Sequence, residues 1–362
     1  MYLYQHFTDE FYKTFILLSK NILLIADRFL TPKENAMTTL KEIYPTFVLP
    51  APQGCNLGCP YCVIAQRKEA TDTNLSDKDY LRFLIDILVN FKVGKVSIQG
   101  FEPLLPETWP LTKTMLQTAC KLGCETSVIT NGTYLADHAA ELSGFLGIAD
   151  TLTVSLDSYI AEKHDQMRRV SGSFAAAIAG VKAITPNFYG SLQVNSVLMP
   201  NRAAYLENMP ELLRELGISK WAISPLIQIS DTGSHVPQGK QMHLDMERLI
   251  TKAERFGINV FLSDELRQHE GNDLFTGFYV QTLPREADIF RLSPDASCSR
   301  GVEILGHASQ GPKWDGEENP SVFLARIFSD VGVEFERRSF LIRRLALWRA
   351  SLIKKNLGLE RR

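Results

Sequence analysis

From Tyr44 to about residue 230 the sequence alternates between two periodicities, and this alternation constrains the fold more than any other feature. Short apolar runs rich in β-branched residues occur at Thr46–Leu49, Lys95–Gln99, Thr126–Thr130, Thr151–Ser155, Leu192–Leu198 and Trp221–Ser224. Helical patterns lie between them, near 76–91, 107–122, 134–144, 173–184 and 203–216, the last stopping at Gly217. Six such alternations predict parallel strands joined by right-handed crossovers. Six units are two short of a closed eight-fold barrel, so the expected fold is α/β, a partial, open (β/α)6 TIM-like barrel. The expected organisation is an N-terminal helical extension over 1–45, a core barrel over 46–230 and a smaller α-rich extension over 231–362. Within the first, residues 8–30 read as a helix, with Phe11, Phe15, Leu18, Ile22 and Ile25 at spacings of three and four. In the last, a helix and strand near 242–256 and 258–262 precede a loop-rich stretch through Gly311–Pro320. A basic helix near 337–356 follows.

Composition excludes several classes. Apolar residues are 45% and charged residues 22% of 362, average for a globular chain and unlike a disordered or fibrous one. The formal net charge of −2 supplies no field for nucleic acid. The most apolar early stretch, Phe15–Leu30, carries Lys20, Asp27 and Arg28 and is too short to span a bilayer. It has no small-residue cleavage site, so a cytoplasmic protein without a transmembrane segment is expected. Six cysteines are present, and three fall within eight residues, a clustering that reads as metal or redox chemistry rather than a disulfide framework.

That cluster is Gly54-Cys55-Asn56-Leu57-Gly58-Cys59-Pro60-Tyr61-Cys62, a C-x3-C-x2-C spacing just after the first expected strand. Three thiolates on one tight loop can hold three irons of a [4Fe–4S] cluster, leaving the fourth iron open to an exchangeable small molecule. Gly54 and Gly58 are expected to let the loop wrap at φ values other residues resist. Other readings are three buried structural cysteines, a zinc site and a ferredoxin-type centre. Zinc wants four ligands and no fourth Cys or His lies close by. A ferredoxin centre wants a fourth cysteine, which only Cys120 or Cys124 could bring.

With its aromatic residue before the third cysteine, the motif resembles the signature of the radical S-adenosylmethionine (SAM) superfamily. Further segments resemble that family in order. Gln99-Gly100-Phe101-Glu102-Pro103 is similar to its GGEP segment, with Phe101 in place of the second glycine; alone it reads as a strand-to-helix turn. Thr130-Asn131-Gly132 is similar to a TNG segment, and alone is only a turn signal. Ser155-Leu156-Asp157, followed by His164-Asp165 and Arg168, resembles the SLD…HDxxR pattern of the peptide- and cofactor-maturing branches. The resemblance implies that Cys55, Cys59 and Cys62 ligate one [4Fe–4S] cluster. It implies SAM contacts from Tyr61, Gly100, Glu102, Pro103, Thr130, Asn131, Ser155, Asp157, Arg168, Asn195 and Leu226, with Arg168 pairing the SAM carboxylate. His164 and Asp165 read as caps of their loop.

The implied chemistry is one-electron cleavage of SAM to methionine and a 5′-deoxyadenosyl radical, which takes a hydrogen atom from substrate. A flavodoxin- or ferredoxin-type donor would supply the electron. The substrate would be a peptide or small metabolite in a biosynthetic or maturation pathway. No cobalamin-binding domain is expected, since the 45 residues before the first strand are too few for a Rossmann-like one.

The run Arg291–Gly301 resembles the start of SPASM or twitch extensions, which hold auxiliary clusters, but no cysteine follows Cys298, so no second cluster is expected. Cys298 reads either as a small apolar filler or as a thiol that returns a hydrogen atom to a substrate radical. Cys120 and Cys124, four apart, read as core packing on one helix face. The tail from Arg337 holds nine basic residues and one acidic residue, Glu360, with an apolar face of Phe340, Leu341, Leu345, Trp348, Leu352 and Ile353. Competing functions are a non-catalytic iron–sulfur electron carrier or metal-binding scaffold, and an interaction protein that works through the tail.

Overall fold

The computed structural model describes residues 43–49, 54–62, 75–145, 150–230, 233–235, 240–262, 268–269, 272–273, 280–282, 289–293, 296, 298–300, 312–329 and 340–359. The helix expected over 8–30 lies outside the described residues. From residue 43 the chain alternates as the sequence predicts: β1 (Tyr44–Val48), α1 (Asp77–Asn90), β2 (Lys95–Gln99), α2 (Trp109–Lys121), β3 (Glu125–Thr130), α3 (Leu135–Phe145), β4 (Thr151–Ser155), α4 (Ala161–Arg168), α5 (Ser173–Ile184), β5 (Ser191–Leu198), α6 (Met209–Glu215) and β6 (Lys220–Pro225). Strands β1 to β6 are parallel nearest neighbours in sequence order. Their carboxyl ends therefore share one edge of an open sheet, as a partial barrel requires.

Local chemistry sets the element ends. Ser76 caps α1 reciprocally with Asp79: the Ser76 hydroxyl accepts from Asp79 N at 3.3 Å, and Asp79 Oδ2 accepts from Ser76 N at 3.1 Å. Helix α2 begins at Trp109 rather than 107, with Pro110 in its first turn, where a missing N–H costs nothing. It ends at Lys121, because Gly123 turns the chain at φ +83°. Cys124 thus lies beyond the helix, and the two cysteines do not share a helix face, though both are buried. Helix α4 was not expected: its inward residues are His164, Met167 and Arg168, so no apolar period marks it.

The sheet runs on past the six-stranded core. Beyond β6 lie the hairpin β7 (Gln228–Ser230) and β8 (Gly233–His235), α7 (Lys240–Arg255), β9 (Asn259–Leu262), the hairpin β10 (Gln268–His269) and β11 (Asn272–Asp273), then β12 (Val280–Thr282), β13 (Ile289–Leu292) and β14 (Cys298–Arg300). The sheet order is β12-β9-β6-β5-β4-β3-β2-β1-β13-β14, with only β14 antiparallel to its neighbour. The region after 230, read as α-rich, therefore contributes strands to both edges of the barrel sheet. Two helices, α8 (Pro320–Ser329) and α9 (Phe340–Asn356), then pack on α1. Phe83 of α1 meets Phe47, Trp314 and Phe323 edge-on, with ring centroids 6.4, 5.0 and 6.5 Å away. Helix α9 packs through small Ala346 and Ala350 with Ile353, while Leu345, Trp348 (61% exposed) and Leu352 face outward. Of the apolar face expected for this helix, Ile353 packs while Leu345, Trp348 and Leu352 do not; alanines let two helices approach where leucine and tryptophan would not.

Candidate functional site

The three clustered cysteines stand on the loop that follows β1, at the carboxyl edge of the sheet. The loop turns at Gly54, whose φ of +78° suits glycine. Gly58 has no positive φ, and a Cβ there would make ordinary 3.5 Å contact with Arg169, so only Gly54 needs to be glycine for its backbone. Gly58 N donates to Arg168 O at 3.0 Å, which ties the loop to the end of α4. All three thiols are half-buried and free. Burial pushes the Cys55 thiol up to about 11, and burial likewise raises Cys59 against the opposing pull of Arg168.

The loop after β2 carries Gly100 at φ +84° and Phe101 at φ +42°. Phe101 thus holds the left-handed conformation that a second glycine would adopt freely, a strain of about 1–2 kcal/mol. Its ring lies 3.4 Å from where a Gly54 Cβ would be, so it packs on the entry to the cysteine loop. Next to it Glu102 is fully buried. Its Oε1 accepts from Thr130 Oγ1 at 2.5 Å and Leu104 N at 3.0 Å, and its Oε2 from Asn131 N at 2.6 Å. Burial lifts this carboxyl to about 7, against those three donors. Glu102 therefore joins the loops after β2 and β3. Pro103 is buried beside it and its carbonyl accepts from Thr112 Oγ1 at 2.8 Å.

Asn131 reaches the cysteine loop. Its Nδ2 lies 3.5 Å from Cys55 Sγ and 2.8 Å from Asn56 Oδ1, and Asn56 Nδ2 donates to Thr133 Oγ1 at 2.9 Å. On the far side of the loop, Asp157 gathers three donors: the Tyr61 hydroxyl, Arg168 Nη2 at 2.6 Å and Val197 N at 2.9 Å. Arg168 Nη1 lies 3.6 Å from Cys59 Sγ. Burial opposes the Arg168 charge, and Asp157, Tyr61 and Cys59 beside it together more than offset this and keep the guanidinium protonated. Burial and the Asp157 charge push the Tyr61 phenol well up, so it remains a donor. Arg168 Nε is buried without a hydrogen-bond partner. His164 Nδ1 accepts from Asp157 N at 3.3 Å, and burial lowers this imidazole to about 4, so it is neutral. Asp165 caps α5 instead, accepting from Gly172 N, Ser173 Oγ and Phe174 N at 2.6–2.9 Å. Those bonds hold it below the usual carboxylate range despite a burial effect in the other direction.

The structure thus brings Cys55, Cys59, Tyr61, Glu102, Thr130, Asn131, Asp157 and Arg168 into two hydrogen-bonded networks flanking one loop. Ser155, the last residue of β4, pairs in register with Asn195 in the middle of β5, and Asn195 Oδ1 accepts from Ser224 Oγ at 2.7 Å. Leu226 N donates to Leu198 O at 3.1 Å, just past β6. Cys298 lies in β14 opposite Leu292, 1% exposed, with Sγ 3.8 Å from Ala296 O. Sequence reasoning missed Asn56, Thr133 and Ser224; all are small polar residues on loops or strand ends, and nothing in their local pattern separates them from ordinary turn residues.

Comparison with known proteins gives a consistent picture. The model of the radical SAM superfamily matches residues 49–223. The AdoMet-dependent heme synthase of Methanosarcina barkeri is 26% identical over 199 residues, covering 54% of this chain and 54% of that protein. The GTP 3′,8-cyclase of Hydrogenovibrio crunogenus is 28% identical over 222 residues, covering 61% of each. The chain spans less than two thirds of the length of either relative. Among solved structures, SuiB of Streptococcus suis bound to S-adenosylmethionine superposes with a TM-score of 0.59 at 14% identity, over 88% of this chain and 77% of that one, a likeness of fold.

Proposed function

This chain belongs to the radical SAM superfamily, and from that premise we propose that it is an enzyme that holds one [4Fe–4S] cluster on Cys55, Cys59 and Cys62. The observation that carries this reading is the placement of three thiols on one loop at the carboxyl edge, two of them already reached by side chains from the loop after β3 and from the end of α4. The donor set fits such a cluster. Among the described residues no three His, Cys, Asp or Glu side chains converge as a single ion requires. Three thiols on one loop suit three irons of a cluster, whereas zinc wants a fourth ligand.

Bound together, cluster and SAM supply one-electron cleavage of SAM and hydrogen-atom abstraction from a substrate. The chain's own residues bind, orient and exclude water. Glu102, buried and raised, offers an acceptor for the ammonium of the SAM amino-acid moiety, whose charge favours the carboxylate form. Arg168, through its unpartnered Nε, offers a donor for the carboxylate. Gly100, Pro103 and Thr130 shape the wall on which Glu102 sits. Tyr61 and Asp157 hold Arg168 in place, and Ser155, Asn195 and Leu226 on β4, β5 and just past β6 would lie on the side of the ribose and adenine. Cys298, buried in β14, serves as packing in this reading.

The substrate is a peptide or a small metabolite. A SuiB structure bound to its precursor peptide supports the first, with a TM-score of 0.55 at 15% identity; the haem synthase and GTP cyclase relatives support the second. A flavodoxin- or ferredoxin-type protein would deliver the electron. No helix among the described residues is long and apolar enough to cross a membrane.

The test is anaerobic reconstitution with iron and sulfide, followed by SAM and dithionite. Wild type should yield 5′-deoxyadenosine on chromatography, and a Cys55/Cys59/Cys62→Ala variant none. A wild-type cluster that yields no 5′-deoxyadenosine and shows no SAM-dependent change in its electron paramagnetic resonance (EPR) spectrum would sink the proposal.

A further inference from the structure

We infer that Asn131 and Arg168 act as positioning residues that raise the reduction potential of the cluster by donating hydrogen bonds to its Cys55 and Cys59 ligands. This rests on the cluster reading above and concerns the ease of reduction rather than the binding of SAM.

The direction of both bonds is settled by the neighbours. Asn131 Oδ1 accepts from the Thr133 backbone N–H at 2.9 Å and from Thr133 Oγ1 at 2.6 Å. A backbone N–H can only donate, so the oxygen of this amide must face Thr133 and its NH2 group must face the loop. That group has two hydrogens and two acceptors in reach, Asn56 Oδ1 at 2.8 Å and Cys55 Sγ at 3.5 Å. Asn56 is itself held by Thr133, so the pair Asn131–Thr133 is locked from three sides. Arg168 is a cation that cannot accept, and its Nη2 is anchored on Asp157 at 2.6 Å. That anchor aims Nη1 at Cys59 Sγ, 3.6 Å away. As free thiols the two cysteines are weak acceptors. As cluster thiolates they carry negative charge, and each bond strengthens.

Reduction adds one more negative charge to the cluster and its ligands. Donors aimed at the sulfurs stabilise that charge and make the potential less negative. A fixed cation beside Cys59 acts in the same direction, partly offset by Asp157. Cys62 has no side-chain donor among the described residues, so the effect is concentrated on two of three ligands. The arrangement also joins electron uptake to the site's geometry, because Asn131 N is held by Glu102 and Arg168 by Asp157, both in the proposed SAM site.

The experiment is an EPR-monitored redox titration of the reconstituted protein without SAM, comparing wild type with Asn131→Leu, Arg168→Gln and Arg168→Lys. Asn131→Leu keeps the backbone bond to Glu102 and removes the whole side-chain amide, its donors to Cys55 and Asn56 and its acceptor for Thr133. The expected result is a more negative midpoint potential for Asn131→Leu and Arg168→Gln at unchanged iron content, with Arg168→Lys closer to wild type. A wild-type measurement guards against variants that lose the cluster: in D2O, the reduced cluster should show exchangeable deuterons coupled near its sulfurs by pulsed EPR. Unchanged midpoints at full iron content, or no such deuterons, would overturn the inference and leave the cluster reading standing. A wild type that assembles no [4Fe–4S] cluster would overturn that reading instead, and this one with it.

Discussion

Asp157 is the residue on which most of the site converges, and its energetics are those of a buried charge. Its side chain is fully covered and that of Arg168 is 10% exposed, so each is tolerable only beside the other. Asp157→Asn keeps the shape and removes the charge that Arg168 needs. It should destabilise the cluster-free protein by about 3 kcal/mol, the usual cost of orphaning a buried partner. Urea unfolding measures this, and an Asp157→Asn/Arg168→Met double variant should recover part of the loss. A single variant as stable as wild type would show that water reaches Arg168. The three thiols were legible in the sequence because their chemistry lies in their spacing. Asp157 was not legible as a hub, since its partners Tyr61, Arg168 and Val197 come from three separate segments and only the folded sheet edge joins them.

Among the elements, α4 departs most from a pattern-based reading. It is an eight-residue helix that buries His164 and Arg168 beside a single apolar residue, Met167, and it brings both polar residues into the site. His164 adds a pH dependence with a definite sign. Its folded value of about 4 lies below the ordinary 6.5, so between those values the unfolded chain binds a proton that the folded chain does not. Stability should therefore be intact above pH 6.5 and fall as pH drops toward 4. The loss from this group at pH 5 is about 2 kcal/mol. Urea midpoints of wild type and His164→Gln at pH 7 and pH 5 check it: the variant should lose less between the two values. Equal losses would assign acid sensitivity to other groups.

At the scale of the whole molecule, the chain's last third closes against its first elements. Strand β13 pairs with β1, and Trp314 and Phe323 meet Phe83 on α1, the helix that follows the cysteine loop. Phe83 therefore bonds the two ends of the described chain into one core. Phe83→Ala should cost about 3–5 kcal/mol, as for other fully buried aromatics, and should expose α8 and α9 to proteolysis before the barrel unfolds. Limited proteolysis read by mass spectrometry tests the order of events. Simultaneous cleavage throughout would mean that the C-terminal helices have no separate unfolding step.

The sequence by itself determined the alternation of strands and helices, the open parallel barrel and the three-thiol loop, because each is written in residues a few positions apart. Periodicity, turn chemistry and ligand spacing are local, so they survive without the fold. It was silent on the strands β12, β13 and β14 that widen the sheet, on the small-residue face of α9, and on the left-handed Phe101. The tertiary structure alone decided which side chains meet at the carboxyl edge. Parallel register sets that, and it brings Tyr61, Asp157 and Arg168 together across a hundred positions of chain. The direction of the Asn131 amide was decided in the same way, by one backbone N–H at Thr133 that only the folded loop presents.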